Sequence, residues 1–178
     1  MEPSPDIAAP DGTLAPRKSQ ISLLIATSLP AQSDLDDAAD HPLVPRMKNE
    51  IEALYCRIGQ AVSGLIGGAF RKAYVRVEMA DDYGSLGLFY DPGAGAFHYS
   101  TDDDGTLFDL FADLRRQSIA AGMGAWSQAT FTLDGAGTFA IDFGFDDISD
   151  IGRGAERRQR WIAQHLGADA RVVWPPAM

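Results

Sequence analysis

The sequence predicts an α+β fold in which an antiparallel sheet of about five strands is covered by three helices. Two observations lead to this prediction. Three stretches carry apolar residues at three- and four-residue steps, which is the spacing of amphipathic helices. The stretches between them alternate apolar and polar residues and are separated by turns rich in Gly and Asp, as in half-buried strands. The order helix, three strands, helix, two strands and helix belongs to the α+β class.

Residues 1–42 differ in composition from the rest of the chain. They contain seven acids and two bases, so they carry half of the net charge of −10 in about a quarter of the 178 residues. We predict an acidic, partly disordered N-terminal extension over 1–42 and a single domain over 43–178. The apolar segment 21–29 is expected to form a short strand or to dock on the domain. It lies too far from Met1, behind too acidic a start, to be a typical signal peptide.

The first helix is expected to begin at Pro45, since proline suits a first helical turn, and to end at Gly67-Gly68. Its apolar stripe comprises Met47, Ile51, Leu54, Tyr55, Ile58, Val62, Leu65 and Ile66. Three strands follow, around 73–79, 86–90 and 97–99, with turns at 81–84 and 91–95. They predict an antiparallel meander.

A second helix is expected to begin at Thr106, which would cap it with Asp109 as the reciprocal partner three residues later. Its apolar face contains Leu107, Leu110, Phe111 and Leu114, and Gly122 lies just past its end.

The stretch 126–147 predicts a hairpin whose register follows from its loop length. Ala129, Phe131 and Leu133 share one face of the first strand, and Phe139, Ile141 and Phe143 share one face of the second. Opposed residues of an antiparallel pair lie on the same face. A two-residue loop would place the two apolar sets on opposite faces. A three-residue loop, 135–137, pairs Leu133 with Phe139 and Phe131 with Ile141, with Gly137 in the left-handed position.

The last helix is expected over 155–166, with Trp161, Ile162 and Leu166 on one side and Gly167 at its end. The stretch 171–174 is expected to return as an edge strand or to pack as a tail.

Charge and cysteine content restrict the partners and the compartment. With a net charge of −10 and a pI of about 4.5, the surface repels nucleic acid and anionic lipid, and it favours a basic protein partner. The single cysteine, Cys56, permits no intrachain disulfide, so a reducing, cytoplasmic location is expected. No apolar run approaches the roughly 20 residues of a membrane span.

A search for catalytic and metal-binding motifs leads to the expectation of no catalytic residue, no metal and no cofactor. His41, His98 and His165 have no metal-ligand spacing. The turn Asp102-Asp103-Asp104-Gly105 fails as an EF-hand, because Ser100 and Phe111 stand where that loop needs carboxylates. No phosphate-binding glycine loop or nucleophile elbow occurs.

Two other functions stay open from the residues alone. Asp142, Asp146, Asp147 and Asp150 follow one another closely enough to form a carboxylate pair, as in a small hydrolase or transferase. Alternatively, segment 21–29 could add a strand to a neighbouring copy and make the protein a self-associating module.

One ordered series of residues stands out in the sequence. It comprises the helix Leu107 to Arg115, Trp126, Phe131-Thr132-Leu133-Asp134, Gly137, Phe139, Phe143 to Ile148, Trp161 and His165-Leu166-Gly167. This series resembles the YezG-like family of bacterial immunity proteins, which are antitoxins of polymorphic and LXG-type toxins. The likeness covers about residues 47–167 and is most specific over 106–167. This chain has His165 where the family commonly has a large aromatic residue, and the extension 1–42 is outside the usual pattern.

The resemblance implies a non-enzymatic inhibitor that binds and neutralises one cognate toxin, often a nuclease. Nucleases are basic where they hold phosphate, so exposed acids are the candidate contacts. The partner-binding candidates are Asp102, Asp103, Asp104, Asp142, Asp146, Asp147 and Asp150, of which Asp142 is the weakest because it alternates with apolar residues.

Overall fold

The computed structural model describes residues 21–25 and 43–176 of the chain. The strands within these ranges are β1 (Ile21–Ile25), β2 (Lys72–Met79), β3 (Gly84–Asp91), β4 (Phe97–Ser100), β5 (Gln128–Asp134), β6 (Phe139–Gly144) and β7 (Val172–Val173). The helices are α1 (Leu43–Ile66), α2 (Thr106–Ala120) and α3 (Gly154–His165), and a short 3-10 turn, Ile151–Arg153, precedes α3.

The strands described form one sheet in the order β1-β6-β5-β2-β3-β4-β7. All neighbours are antiparallel except β4 and β7, which are parallel. The α+β class is confirmed, and β2 to β6 are the five expected strands. The two edges add β1, from within the apolar segment 21–29, and β7, from within 171–174. The prediction of disorder for the start of the extension lies outside the described residues.

The helices are divided between the two faces of the sheet. Residues of α1 and α2 pack in the main core with one face, which includes Val75, Val77 and Phe131. On the other face, Ile162 of α3 is buried with Tyr74 and Phe89 in a smaller cluster. Strand β2 is therefore buried on both sides, and its Tyr74, Arg76 and Glu78 lie on the face of α3.

The hairpin register predicted from the three-residue loop is confirmed. Leu133 pairs with Phe139, and Phe131 pairs with Ile141. Gly137 has a φ of 89°, and the backbone N–H of Asp134 donates to the carbonyl of Thr138 at 2.9 Å. The apolar alternation and the loop length together allow only this register.

The predicted capping of α2 by Thr106 is wrong. Gly105, with a φ of 74°, precedes the helix, and no side chain at that position caps it. Instead the Asp102 carboxylate accepts hydrogen bonds from the N–H groups of Leu107 (3.2 Å) and Phe108 (2.7 Å), while Asp104 accepts from Thr106 (3.0 Å). The left-handed glycine turns the chain so that earlier carboxylates reach the helix start.

Substitution of Gly135 by alanine is expected to lower the free energy of unfolding by about 2 kcal/mol, because there is no room for the added carbon. A Cβ at this position would lie 2.4 Å from the carbonyl oxygen of Phe70, a backbone atom that cannot move aside alone. Urea denaturation measures the change. Gly68→Ala is the matched control, since no atom lies within 4 Å of a Cβ placed there. Equal stability of the two variants would contradict the prediction.

Candidate functional site

A groove with a volume of about 760 Å³ lies between the sheet and α3. The floor of the groove is formed by Arg76, Thr130 and Asp142. These residues occupy one row across β2, β5 and β6, so their side chains point to the same face of the sheet. The residues that line it are Arg76, Val77, Glu78, Gln128, Ala129, Thr130, Asp142, Phe143, Gly144, Phe145, Asp146, Asp147, Asp150, Arg153, Arg157, Arg160, Trp161, Gln164 and His165.

A buried ionic triad holds α3 against the sheet. The carboxylate of Glu78, whose side chain is 2 % exposed, accepts from Arg157 Nε at 2.8 Å and Nη2 at 3.2 Å, and it contacts Arg76 Nη2 at 2.5 Å. Burial lowers the pKa of Arg76, and the bond to Glu78 raises the pKa of Arg157. Two cations share one anion, and both arginines stay charged because arginine titrates far above neutral pH.

Trp161 forms the wall of the groove on the α3 side. Its indole N–H donates to the Thr130 hydroxyl at 2.8 Å, and its ring meets Tyr74 edge-on at 6.2 Å between centroids. His165, one turn later, stacks on Trp161 at 4.8 Å. Burial lowers the pKa of His165, while the charge of Asp142 acts in the opposite direction.

The unfolding free energy is expected to rise with pH between about pH 5 and 7, and His165→Gln is expected to flatten that rise. His165 has a folded pKa below its ordinary value of 6.5, because burial outweighs the pull of Asp142. The unfolded chain therefore binds more protons below pH 6.5, and stability is lost as the pH falls through that value. Urea midpoints across this range measure the effect. A slope in His165→Gln as steep as that of wild type would contradict the assignment.

The loop from Gly144 to Ile151, here named the rim loop, borders the groove and is fixed from within. The Ser127 hydroxyl donates to the carbonyl of Asp146 at 2.5 Å, and Arg157 Nη1 donates to the carbonyl of Asp150 at 2.6 Å. Ile148 is 3 % exposed and anchors the loop in the core. The side chains of Asp146, Asp147 and Asp150 remain exposed on this fixed backbone.

The structure brings four of the seven candidate aspartates together and leaves three apart. Asp142, Asp146, Asp147 and Asp150 all line the groove. Asp102, Asp103 and Asp104 lie at the start of α2, where two of them cap the helix and Asp103 accepts from the Thr101 hydroxyl.

Sequence reasoning missed the arginines of this site. Four guanidinium groups and five carboxylates line the groove, so its lining is mixed in charge and its exposed acids are concentrated on the rim loop. Arg76 and Glu78 did leave a signal, as two charges alternating with Val75 and Val77 inside a central strand. Arg157 gave none, because its contact with Glu78 spans 79 residues.

The candidate aspartates include two whose pKa is lowered. Backbone donation from Ser149 lowers the pKa of Asp147 in the groove, and donation from Thr106 lowers the pKa of Asp104 at the start of α2. Both shifts suit ionised carboxylates rather than proton donors. Within the described ranges, no three His, Cys, Asp or Glu side chains are grouped so as to hold a metal ion. The described helices include none with the length and hydropathy of a transmembrane span. Cys56 is half-buried and unpaired with another cysteine.

Comparisons with known proteins identify similar sequences in bacteria. The family model described as "Immunity protein YezG-like" matches residues 96–171. Immunity protein YezG of Bacillus subtilis (strain 168) is 30 % identical over 135 residues, covering 66 % of this chain and 88 % of the relative. Immunity protein YezG of Bacillus spizizenii is 28 % identical over 131 residues, covering 64 % of this chain and 81 % of the relative.

Proposed function

We propose that this chain, which belongs to the YezG-like family of immunity proteins, binds and neutralises a cognate bacterial toxin in the cytoplasm. The toxin domain is proposed to be basic and of nuclease type. The protein acts by covering a surface of that domain, so it needs no cofactor, metal or nucleophile.

The observation that carries this proposal is the rim loop. Its backbone is held by Ser127, Arg157 and the buried Ile148, so the loop that carries the exposed carboxylates is fixed before any partner arrives. A preorganised loop loses little conformational entropy on binding. The net charge of −10 adds long-range attraction to a basic groove and would speed association.

The proposed contacts are the seven aspartates, with different weights. Asp146, Asp147 and Asp150 are exposed and form the centre of the contact, and Asp142 lies deeper in the groove beside them. Asp102, Asp103 and Asp104 are proposed as an outlying part, because two of them already serve the start of α2. Residues 43–178 are proposed as the binding domain and 1–42 as an extension that supplies β1 to its edge.

Co-expression tests the proposed function. The chain is expressed together with the toxin-like gene beside its own, and growth and co-purification are scored against the toxin expressed alone. We expect growth to be rescued and a complex to be recovered. Toxicity that persists with the immunity protein abundant, or rescue without any complex, would refute neutralisation by binding. Rescue abolished by one carboxylate substitution while the complex still forms would instead favour the carboxylate enzyme.

A further inference from the structure

Two of the large apolar side chains exposed in this protein lie on the rim loop. Where the structure describes side chains, five such residues are exposed, namely Ile119, Phe145, Ile151, Val173 and Trp174. Phe145 is 43 % exposed and Ile151 is 61 % exposed, the largest fraction of the five. Trp174, by contrast, already packs on Tyr99 at 4.7 Å and under the guanidinium of Arg158 at 5.5 Å.

Phe145 and Ile151 are held outward by the loop that carries them. Between them the loop buries a different apolar residue, Ile148, and it fixes the carbonyls of Asp146 and Asp150. The ring of Phe145 rests on the backbone of Gly124, where an added Cβ would lie 3.1 Å from the ring edge. The aromatic ring therefore has the backbone of Gly124 on one side and is exposed on the other.

We propose that Phe145 and Ile151 are the apolar anchors with which this immunity protein docks on its toxin. This inference rests on the proposed function and deepens it by naming the contact surface. The arrangement matches an interface centre, in which an aromatic anchor is surrounded by polar groups that exclude water. Because the exposed Asp146, Asp147 and Asp150 lie between the two anchors along the rim loop, the matching toxin surface is an apolar recess bordered by Lys and Arg.

Affinity and rate measurements with the purified toxin domain, inactivated by mutation and encoded beside this gene, test the assignment. Phe145→Ala is expected to weaken binding about 50-fold and Ile151→Ala about tenfold, mainly through faster dissociation. Ile119→Ala is the matched control, since Ile119 is similarly exposed on α2, and it should change the affinity by no more than about twofold. Thermal unfolding confirms that the exposed substitutions leave the fold intact.

The possible outcomes distinguish a failure of the anchor assignment from a failure of the proposed immunity function. Tight binding by wild type and equally tight binding by the Phe145→Ala/Ile151→Ala variant would refute the anchors and leave the immunity function standing. Failure of wild type to bind the toxin domain would refute both. Light scattering tests the alternative that a second copy of the chain occupies this surface. A wild-type dimer that the double variant converts to monomer would assign the surface to that second copy.

Discussion

Replacement of Glu78 by glutamine is expected to lower the free energy of unfolding by about 3–5 kcal/mol. The carboxylate is 2 % exposed and lies between the guanidinium groups of Arg76 and Arg157. Glutamine keeps the shape but removes the only negative charge of the triad, which leaves the buried Arg76 and the partly buried Arg157 without their shared anion. Urea denaturation at neutral pH measures the loss.

Two further variants make this prediction specific. Glu156 also bonds two arginines, Arg153 and Arg160, but on the exposed surface of α3. Glu156→Gln is therefore expected to leave the stability nearly unchanged, because solvent screens these exposed ion pairs. Replacing all three triad residues by methionine removes the charges together and should recover most of the stability lost in Glu78→Gln. A loss of stability in Glu78→Gln no larger than that in Glu156→Gln would contradict a stabilising role of the buried ionic triad.

The ionic triad also links the core of the protein to its proposed contact surface. Arg157 uses Nε and Nη2 to hold Glu78 and Nη1 to hold the carbonyl of Asp150. Loss of Glu78 frees this guanidinium from the sheet, so the rim loop loses one of its fixed points. Glu78→Gln is thus expected to weaken toxin binding although residue 78 is buried beneath the surface.

Local sequence patterns were sufficient to predict the helices, the central strands and the register of the hairpin formed by β5 and β6. The period of the apolar residues located α1, α2 and α3, and glycines marked their ends. The hairpin register followed because a one-residue slip would have turned Phe131 and Leu133 away from the core that they fill. These features depend on residues close together in the chain, where spacing alone determines geometry.

Features that depend on distant residues were not accessible in this way. Periodicity showed that α3 has an apolar side with Trp161 and Ile162, but not that it covers the face of β2 opposite to α1 and α2. Without that placement, Arg157 could not be identified as the second partner of Glu78. The prediction that Thr106 caps α2 was wrong for a related reason. Asp102, which caps the helix instead, reaches it only through the left-handed turn at Gly105.

Substitution of Asp146, Asp147 and Asp150 by asparagine is expected to slow association with the toxin about tenfold at low ionic strength. These carboxylates are exposed on a fixed loop, so they attract a basic surface in the orientation that leads to docking. Dissociation should change little, because rim charges act mainly on the encounter. At about 0.5 M salt the difference from wild type should nearly vanish through screening. Stopped-flow or surface-based kinetics measures both rates.

The triple variant of Asp102, Asp103 and Asp104 to asparagine supplies the matched control. It removes the same number of negative charges, so the net charge changes equally. Asparagine caps a helix start about as well as aspartate, so the fold is retained. We expect this variant to slow association by about twofold. Equal slowing in the two variants would show that only net charge matters and would contradict a contact centred on the rim loop. Greater slowing in the second variant would move the contact to the start of α2.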